Sequence, residues 1–215
     1  MKEGKLRPLI EKYYPEYYSW NEYPVNECVP IRSNREEWGI LGNMYPVSIV
    51  VEGVEFASSE QLFQMMKFAD ENIILALYGT RGMTPKMKAK RFENEGLRRA
   101  DWGRIIVDCM KFCLQMKYDQ SEEFRTMLHK TSGLNIVEDE TSRKTSKNGK
   151  VRAADTWGVV RDGDIYVGSN LLGRLLMELR DNGKLVYHLP EDILDFVSVL
   201  KTNLYGHTVD APIDP

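Results

Sequence analysis

The sequence predicts a mainly α, multihelical single domain with a small β hairpin or sheet. Three observations carry this. Residues 101–117 are apolar on nearly every side. The run GSNLLGRLLMELR repeats leucine at helical spacing. The β-like runs are short and few. With 215 residues, 42% of them hydrophobic and 28% charged, the chain suits one domain whose core covers about 70% of its unfolded surface.

Taken in order, residues 1–37 are rich in proline, tyrosine and charge and read as an extended N-terminal arm. SIVVEGVEF follows as two β runs around Glu52-Gly53, a hairpin signal. Ser58 with Gln61 three residues on fits a capping box, so a helix is expected from there to about Asp70. Residues 71–100 read as helical pieces broken at Gly79, Gly82, Pro85 and Gly96. The 101–117 helix comes next and belongs at the centre of the core, followed by a helix over 121–131. Thr141 to Lys150 holds no apolar residue and reads as a loop. Two β runs, Trp157–Val160 and Ile165–Val167, turn at Asp162-Gly163. Ser169 is placed to cap a helix Asn170–Arg180, Gly183 to end it, and Pro190 to open one more within the 183–215 extension.

Composition excludes several classes. No stretch approaches the roughly 18 apolar residues of a membrane span, and the N-terminus carries no apolar signal segment. Cys28, Cys109 and Cys113 give no even framework, so a reducing, cytoplasmic setting is expected. His129, His188 and His207 are scattered, and Cys109 with Cys113 reads as two small core residues of one helix; no metal is expected. Asn148-Gly149-Lys150 follows no strand, so it is no dinucleotide loop, and no cofactor is expected. The net charge of −3 attracts no nucleic acid globally; such a contact needs a local basic patch.

Three segments hold residues suited to chemistry. In SSEQLFQMMKF, helical spacing puts Glu60, Gln64 and Lys67 on one face of a greasy helix. That stripe is either a solvent face or the wall of a polar pocket. In AADTWG, Asp155 precedes Trp157 by two residues, and Gly158 permits close backbone approach. A carboxylate beside an aromatic platform suits a base or a ribose, and equally a turn beside a core tryptophan. In GSNLLGRLLMELR, Asn170 stands in the first helical turn, where free N–H groups attract anions, on a helix otherwise built for the core; Gly173 suits tight packing.

The order of these segments carries more than any one of them. WGILGNMYPVSIVVEGVEFASSEQLFQMMKF, then Pro85, Arg91 and Trp102, then DTWG, then VGSNLLGRLLMELR resembles the NADAR (YbiA-like) family over about residues 38–182. The resemblance implies a YbiA-like multihelical domain between N- and C-terminal extensions. It also implies an N-glycosidase that hydrolyses a ribose C1′–N bond. Some members of that family act on ribosylamino-pyrimidine phosphates of riboflavin biosynthesis, others on ADP-ribosylated guanine in DNA or RNA. By motif position it implies Lys67, Glu60 and Asp155 as catalytic residues. It implies Asn43, Gln64, Arg91, Trp102, Trp157, Gly158 and Asn170 as substrate-binding ones, with Arg91 and the Asn170 turn for phosphate and either tryptophan for stacking. The chain departs from the pattern at Leu41-Gly42, where an aromatic-Ser pair is usual, and at Gln61, usually His. Asp155 stands one residue nearer the Trp than in many members.

Within this resemblance, Lys67 is expected to attack the opened sugar as a neutral amine, its pKa lowered by burial. Glu60, roughly 10 Å away along the helix, is expected to act as acid or base on substrate between them. Arg143, Lys144, Lys147, Lys150 and Arg152 form a basic loop suited to a phosphate backbone or simply to solvent; the first reading favours ADP-ribosylated guanine in nucleic acid over the small pyrimidine phosphate. A non-catalytic ADP-ribose-binding module is the alternative of another class, disfavoured by the presence of both Glu60 and Lys67.

Overall fold

The computed structural model describes residues 6–205. His207 and the ends of both expected extensions lie outside them. The chain runs α1 (Arg7–Tyr13), β1 (Asn21–Pro24), β2 (Cys28–Ile31), β3 (Ile49–Val51), β4 (Val54–Phe56), α2 (Ser59–Met65), α3 (Glu71–Tyr78), α4 (Thr84–Asn94), α5 (Trp102–Gln120) and α6 (Glu122–Lys130). It continues β5 (Asn135–Glu138), α7 (Thr141–Lys144), β6 (Val160–Asp162), β7 (Ile165–Gly168), α8 (Leu171–Asn182) and α9 (Asp195–Tyr205).

The fold is mainly helical, as expected, and α5 is its axis. Ile105, Ile106, Val107, Cys109, Met110, Cys113 and Leu114 are buried around that helix, which packs on α1, α2, β3, α6 and α8. The hairpin forms where Glu52-Gly53 stands: both residues take positive φ (49° and 85°), the type I′ geometry that matches strand twist. Gly183 ends α8 in the left-handed region.

Several expectations are corrected. Residues 7–31 are not an extended arm. They form α1 against α5, β1 antiparallel to β7, and β2 parallel to β5. Helix α2 stops at Met65 rather than near Asp70. Its start is as expected, with Ser58 Oγ accepting from Gln61 N at 3.2 Å. Gln61 instead spends its amide on the neighbouring chain: Oε1 accepts from Ala57 N, and Nε2 donates to the Tyr78 and Thr80 carbonyls. The polar stretch after Thr141 holds the short helix α7 and an isolated bridge between Thr145 and Val151. Ser169 does not cap α8; Asn170 occupies the N-cap with left-handed φ and ψ of 52° and 40°.

That conformation, which Asn tolerates better than most residues, turns its buried amide back onto β5. Nδ2 donates to Ile136 O at 2.8 Å, and Oδ1 accepts from Glu138 N at 3.1 Å. Here α8, β5 and the 156–158 segment are pressed together. A Cβ at Gly173 would sit 2.1 Å from Ile136 O, and one at Gly158 would sit 2.4 Å from Glu138 O. The two glycines let β5 lie close enough to hold Glu138 at the edge of a cavity. The C-terminal helix α9 packs on α3 and β4, and Lys201 pairs with Glu52 of the hairpin turn at 3.1 Å.

Candidate active site

A cavity of about 260 Å³ opens between α2 and the β5–α7 segment. Glu60, Phe63, Gln64 and Lys67 form one wall, Asn43 and Met44 its edge, and Ile106 and Met110 of α5 its base. Arg32, Glu138, Glu140, Arg143, Asp155 and Trp157 face them, and Lys86 of α4 stands at the mouth.

The wall from α2 is polar but covered: Glu60, Gln64 and Lys67 are all buried. This decides the reading left open by the sequence, since a solvent face would be exposed. The 39–43 turn locks the start of α2. Asn43 O accepts from Glu60 N at 2.9 Å and from Ser59 Oγ at 3.1 Å. That turn is held from behind by Lys117 of α5, fully buried, whose Nζ donates to Ile40 O at 2.6 Å and Gly42 O at 2.9 Å over the face of Phe124. Gln64 Nε2 donates to Glu60 Oε1 at 2.8 Å, which fixes the amide. Among the described residues, nothing donates to its buried Oε1.

Lys67 follows the last turn of α2. Its ammonium touches Glu93 Oε1 of α4 at 2.5 Å and lies 5.5 and 5.6 Å from the ring centres of Phe63 and Trp102. Burial pushes its pKa down from the usual lysine value, against the carboxylates of Glu93 and Glu60, and Lys86 pushes the same way as burial. Across the cavity, Asp155 has 60% of its side chain exposed and pairs with Lys144 at 2.6 Å. Its N–H donates to Glu140 Oε2 at 2.8 Å. Glu140 is buried, and that burial, helped by Glu138 and Asp155, raises its pKa.

Of the ten residues expected at the site, six line the cavity: Lys67, Glu60, Asp155, Asn43, Gln64 and Trp157. The other four stand elsewhere. Arg91 is 80% exposed on α4 and paired with Glu95, so it does not reach a phosphate in the cavity. Trp102 is buried behind Phe63 (ring centres 5.2 Å apart) and supports Lys67 from outside rather than offering a stacking face. Gly158 acts by its missing Cβ. Asn170 is fully buried, with its amide committed to β5, so it presents nothing to an anion. Arg143 and Lys144 of the basic loop turn inward onto Glu138, Glu140 and Asp155, leaving Lys147, Lys150 and Arg152 exposed.

Sequence reasoning missed Glu140, Glu93, Lys86 and Arg32. A usable signal existed for Glu140: the acidic triplet Glu138-Asp139-Glu140 follows the apolar pair Ile136-Val137. Arg32 is held by Asp139 Oδ2 at 2.8 Å and by the Tyr166 hydroxyl at 2.9 Å, contacts that join distant strands.

Comparison with known proteins then fixes the family. The NADAR domain matches residues 31–182. The chain belongs to the NADAR family. It is 30% identical over 151 residues to the N-glycosidase YbiA of Escherichia coli (strain K12), covering 69% of this chain and 84% of that one. A riboflavin biosynthesis protein of Vibrio vulnificus is 29% identical over 185 residues, which is 81% of this chain and 46% of that protein; the chain thus spans about half of that relative's length. The NMR structure of E. coli YbiA superposes with a TM-score of 0.57 at 27% identity, covering 76% of this chain and 90% of YbiA. Among the described residues, no helix of this NADAR chain is long and apolar enough to cross a membrane.

Proposed function

We propose that this NADAR chain is an N-glycosidase that hydrolyses the bond between a ribose C1′ and an exocyclic nitrogen of a nucleobase or pyrimidine. One observation carries the reading: a buried amine, Lys67, and a buried carboxylate, Glu60, share one cavity with an aromatic wall at Trp157. Glu60 stabilises positive charge at C1′ as the nitrogen begins to leave and moves protons on the substrate. The neutral Lys67 amine adds to C1′ of the ring-opened imine. Its two hydrogens end on the departing nitrogen, which leaves as a free amine. Water then hydrolyses the Lys67 imine to amine and sugar aldehyde. Gln64, fixed by Glu60, and Asn43 at the cavity edge shape the substrate pocket, and Trp157 orients the base.

The preferred substrate is ADP-ribosylated guanine in DNA or RNA, supported by exposed Lys147, Lys150 and Arg152 outside the acidic wall. The small ribosylamino-pyrimidine phosphate is the second reading. It is favoured by the modest cavity and by the similarity to a protein named for riboflavin biosynthesis. The site sits in a cytoplasmic enzyme on this reading. The test is borohydride trapping with an ADP-ribosylated guanine oligonucleotide, comparing wild type with Lys67→Ala, alongside product analysis on both substrates. A wild-type adduct lost in Lys67→Ala supports the mechanism. Tight ADP-ribose binding with no release of base from either substrate overturns it in favour of a binding module.

A further inference from the structure

We infer that Glu93 is the positioning residue of Lys67: it holds the amine at the cavity wall and sets the pH at which that amine becomes a nucleophile. The inference rests on the Schiff-base reading above and adds a residue that does not itself line the cavity.

The geometry leads to this. Lys67 lies outside the last regular turn of α2, so helix geometry alone does not aim it. Its backbone is tied on both sides: Lys67 N donates to Gln64 O, and Arg99 N donates to Lys67 O. Among the described residues, its charged end makes one short polar contact, with Glu93 Oε1 at 2.5 Å. The charged groups around that amine are few and come from known elements. Glu93 and Lys86 face it from α4 and Glu60 from α2, while α5 contributes the Trp102 indole. Arg98 stands 3.8 Å from the other Glu93 oxygen and steadies the carboxylate. In this covered setting an ammonium without Glu93 would keep only the carboxylate of Glu60 as a counter-charge.

The contact has a chemical consequence. An ammonium is no nucleophile, so one proton must leave before the amine adds to C1′. Glu93 takes that proton across the short contact, and it returns to Lys67 after the imine is hydrolysed, so the cycle conserves protons. Removing the carboxylate leaves burial and Lys86 opposed by Glu60 alone. The amine is then neutral at lower pH but poorly aimed.

The test uses ADP-ribose itself, whose open-chain aldehyde condenses with an amine, and cyanoborohydride with peptide mass spectrometry to count Lys67 adduct against pH. Glu93→Gln should move the half-maximal pH down by about 1–3 units. Maximal adduct rate and kcat on the turned-over substrate should fall about tenfold or more, with KM within about threefold. Glu93→Asp, which keeps the charge one methylene back, should move part of the way. It also carries the test if Glu93→Gln fails to fold. A folded Glu93→Gln, or failing that Glu93→Asp, with the wild-type pH profile overturns this inference and leaves the amine mechanism standing. Absence of any Lys67 adduct in the wild type overturns both.

Discussion

Replacing Lys117 by Met probes how the site is propped from behind. Lys117 is fully buried, and burial pushes its pKa down to about 7, so at higher pH it serves as a neutral amine. Two amine hydrogens suffice for two acceptors, the Ile40 and Gly42 carbonyls at 2.6 and 2.9 Å. Lys117→Met keeps the aliphatic stem but strands the buried Ile40 oxygen, while Gly42 O still accepts from Tyr45 N at 3.3 Å. A buried polar group left unsatisfied costs about 1–3 kcal/mol, and with methionine filling the space a net loss of that size is expected. For a chain of this size that lowers Tm by about 2–12 °C.

The loss has a pH signature. Above pH 7 the folded protein gives up the Lys117 proton while the unfolded chain keeps it to near the ordinary lysine pKa. The unfolded state therefore binds more protons, and wild-type stability gains up to about 1.4 kcal/mol per pH unit from this group in that window. The variant has no such group, so the gap between the two should widen from pH 7 to 9 and stay level below 7. Urea denaturation followed by circular dichroism at several pH values measures it. KM should rise as well, because the freed turn carries Asn43. A Tm within 1 °C of wild type, or a gap that does not change with pH, refutes the reasoning.

Gly173→Ala should cost at least about 2 kcal/mol in a denaturant titration, since its Cβ would meet the Ile136 carbonyl at 2.1 Å and neither backbone can yield cheaply. Glu60→Gln should lower kcat by about 10²–10⁴ in steady-state assays while thermal melts show it folded. Glu140 has a folded-state pKa raised by burial, so the stability it contributes is present below its unfolded pKa and lost as pH rises through the folded one. Glu140→Gln keeps the acceptor for Asp155 N, and it should therefore stabilise more at pH 8 than at pH 5 in paired denaturation curves. Trp157→Ala should raise KM more than it lowers kcat if the indole only stacks on the base.

The sequence made the local parts of this fold legible. The all-round apolar pattern of α5, the Glu52-Gly53 turn, the Ser58 cap and the Gly183 stop each depend on neighbours a few residues away. What stayed hidden depends on distant pairing. β2 and β5 are four residues each, lie about a hundred positions apart and pair in parallel, so neither announces itself by alternation. The site divides in the same way. Glu60, Gln64 and Lys67 were readable because one helix and its exit carry them. Glu93 was not, because it comes to Lys67 from another helix. Asn170 and Arg91 misled for opposite reasons: a motif position says nothing about whether an amide is already committed to backbone, or whether a guanidinium points away.

The parallel β2–β5 pair bears on how the enzyme can be cut down for study. A fragment trimmed to the family match, beginning at residue 31, would retain the strand that leads into Glu138 yet discard nearly all of its neighbour, and would also leave β7 without β1. Three backbone registers of β5 and four of β7 would then meet water or other molecules. The smallest piece that keeps the acidic rim in place therefore begins upstream of the shared domain, no later than β1 at Asn21.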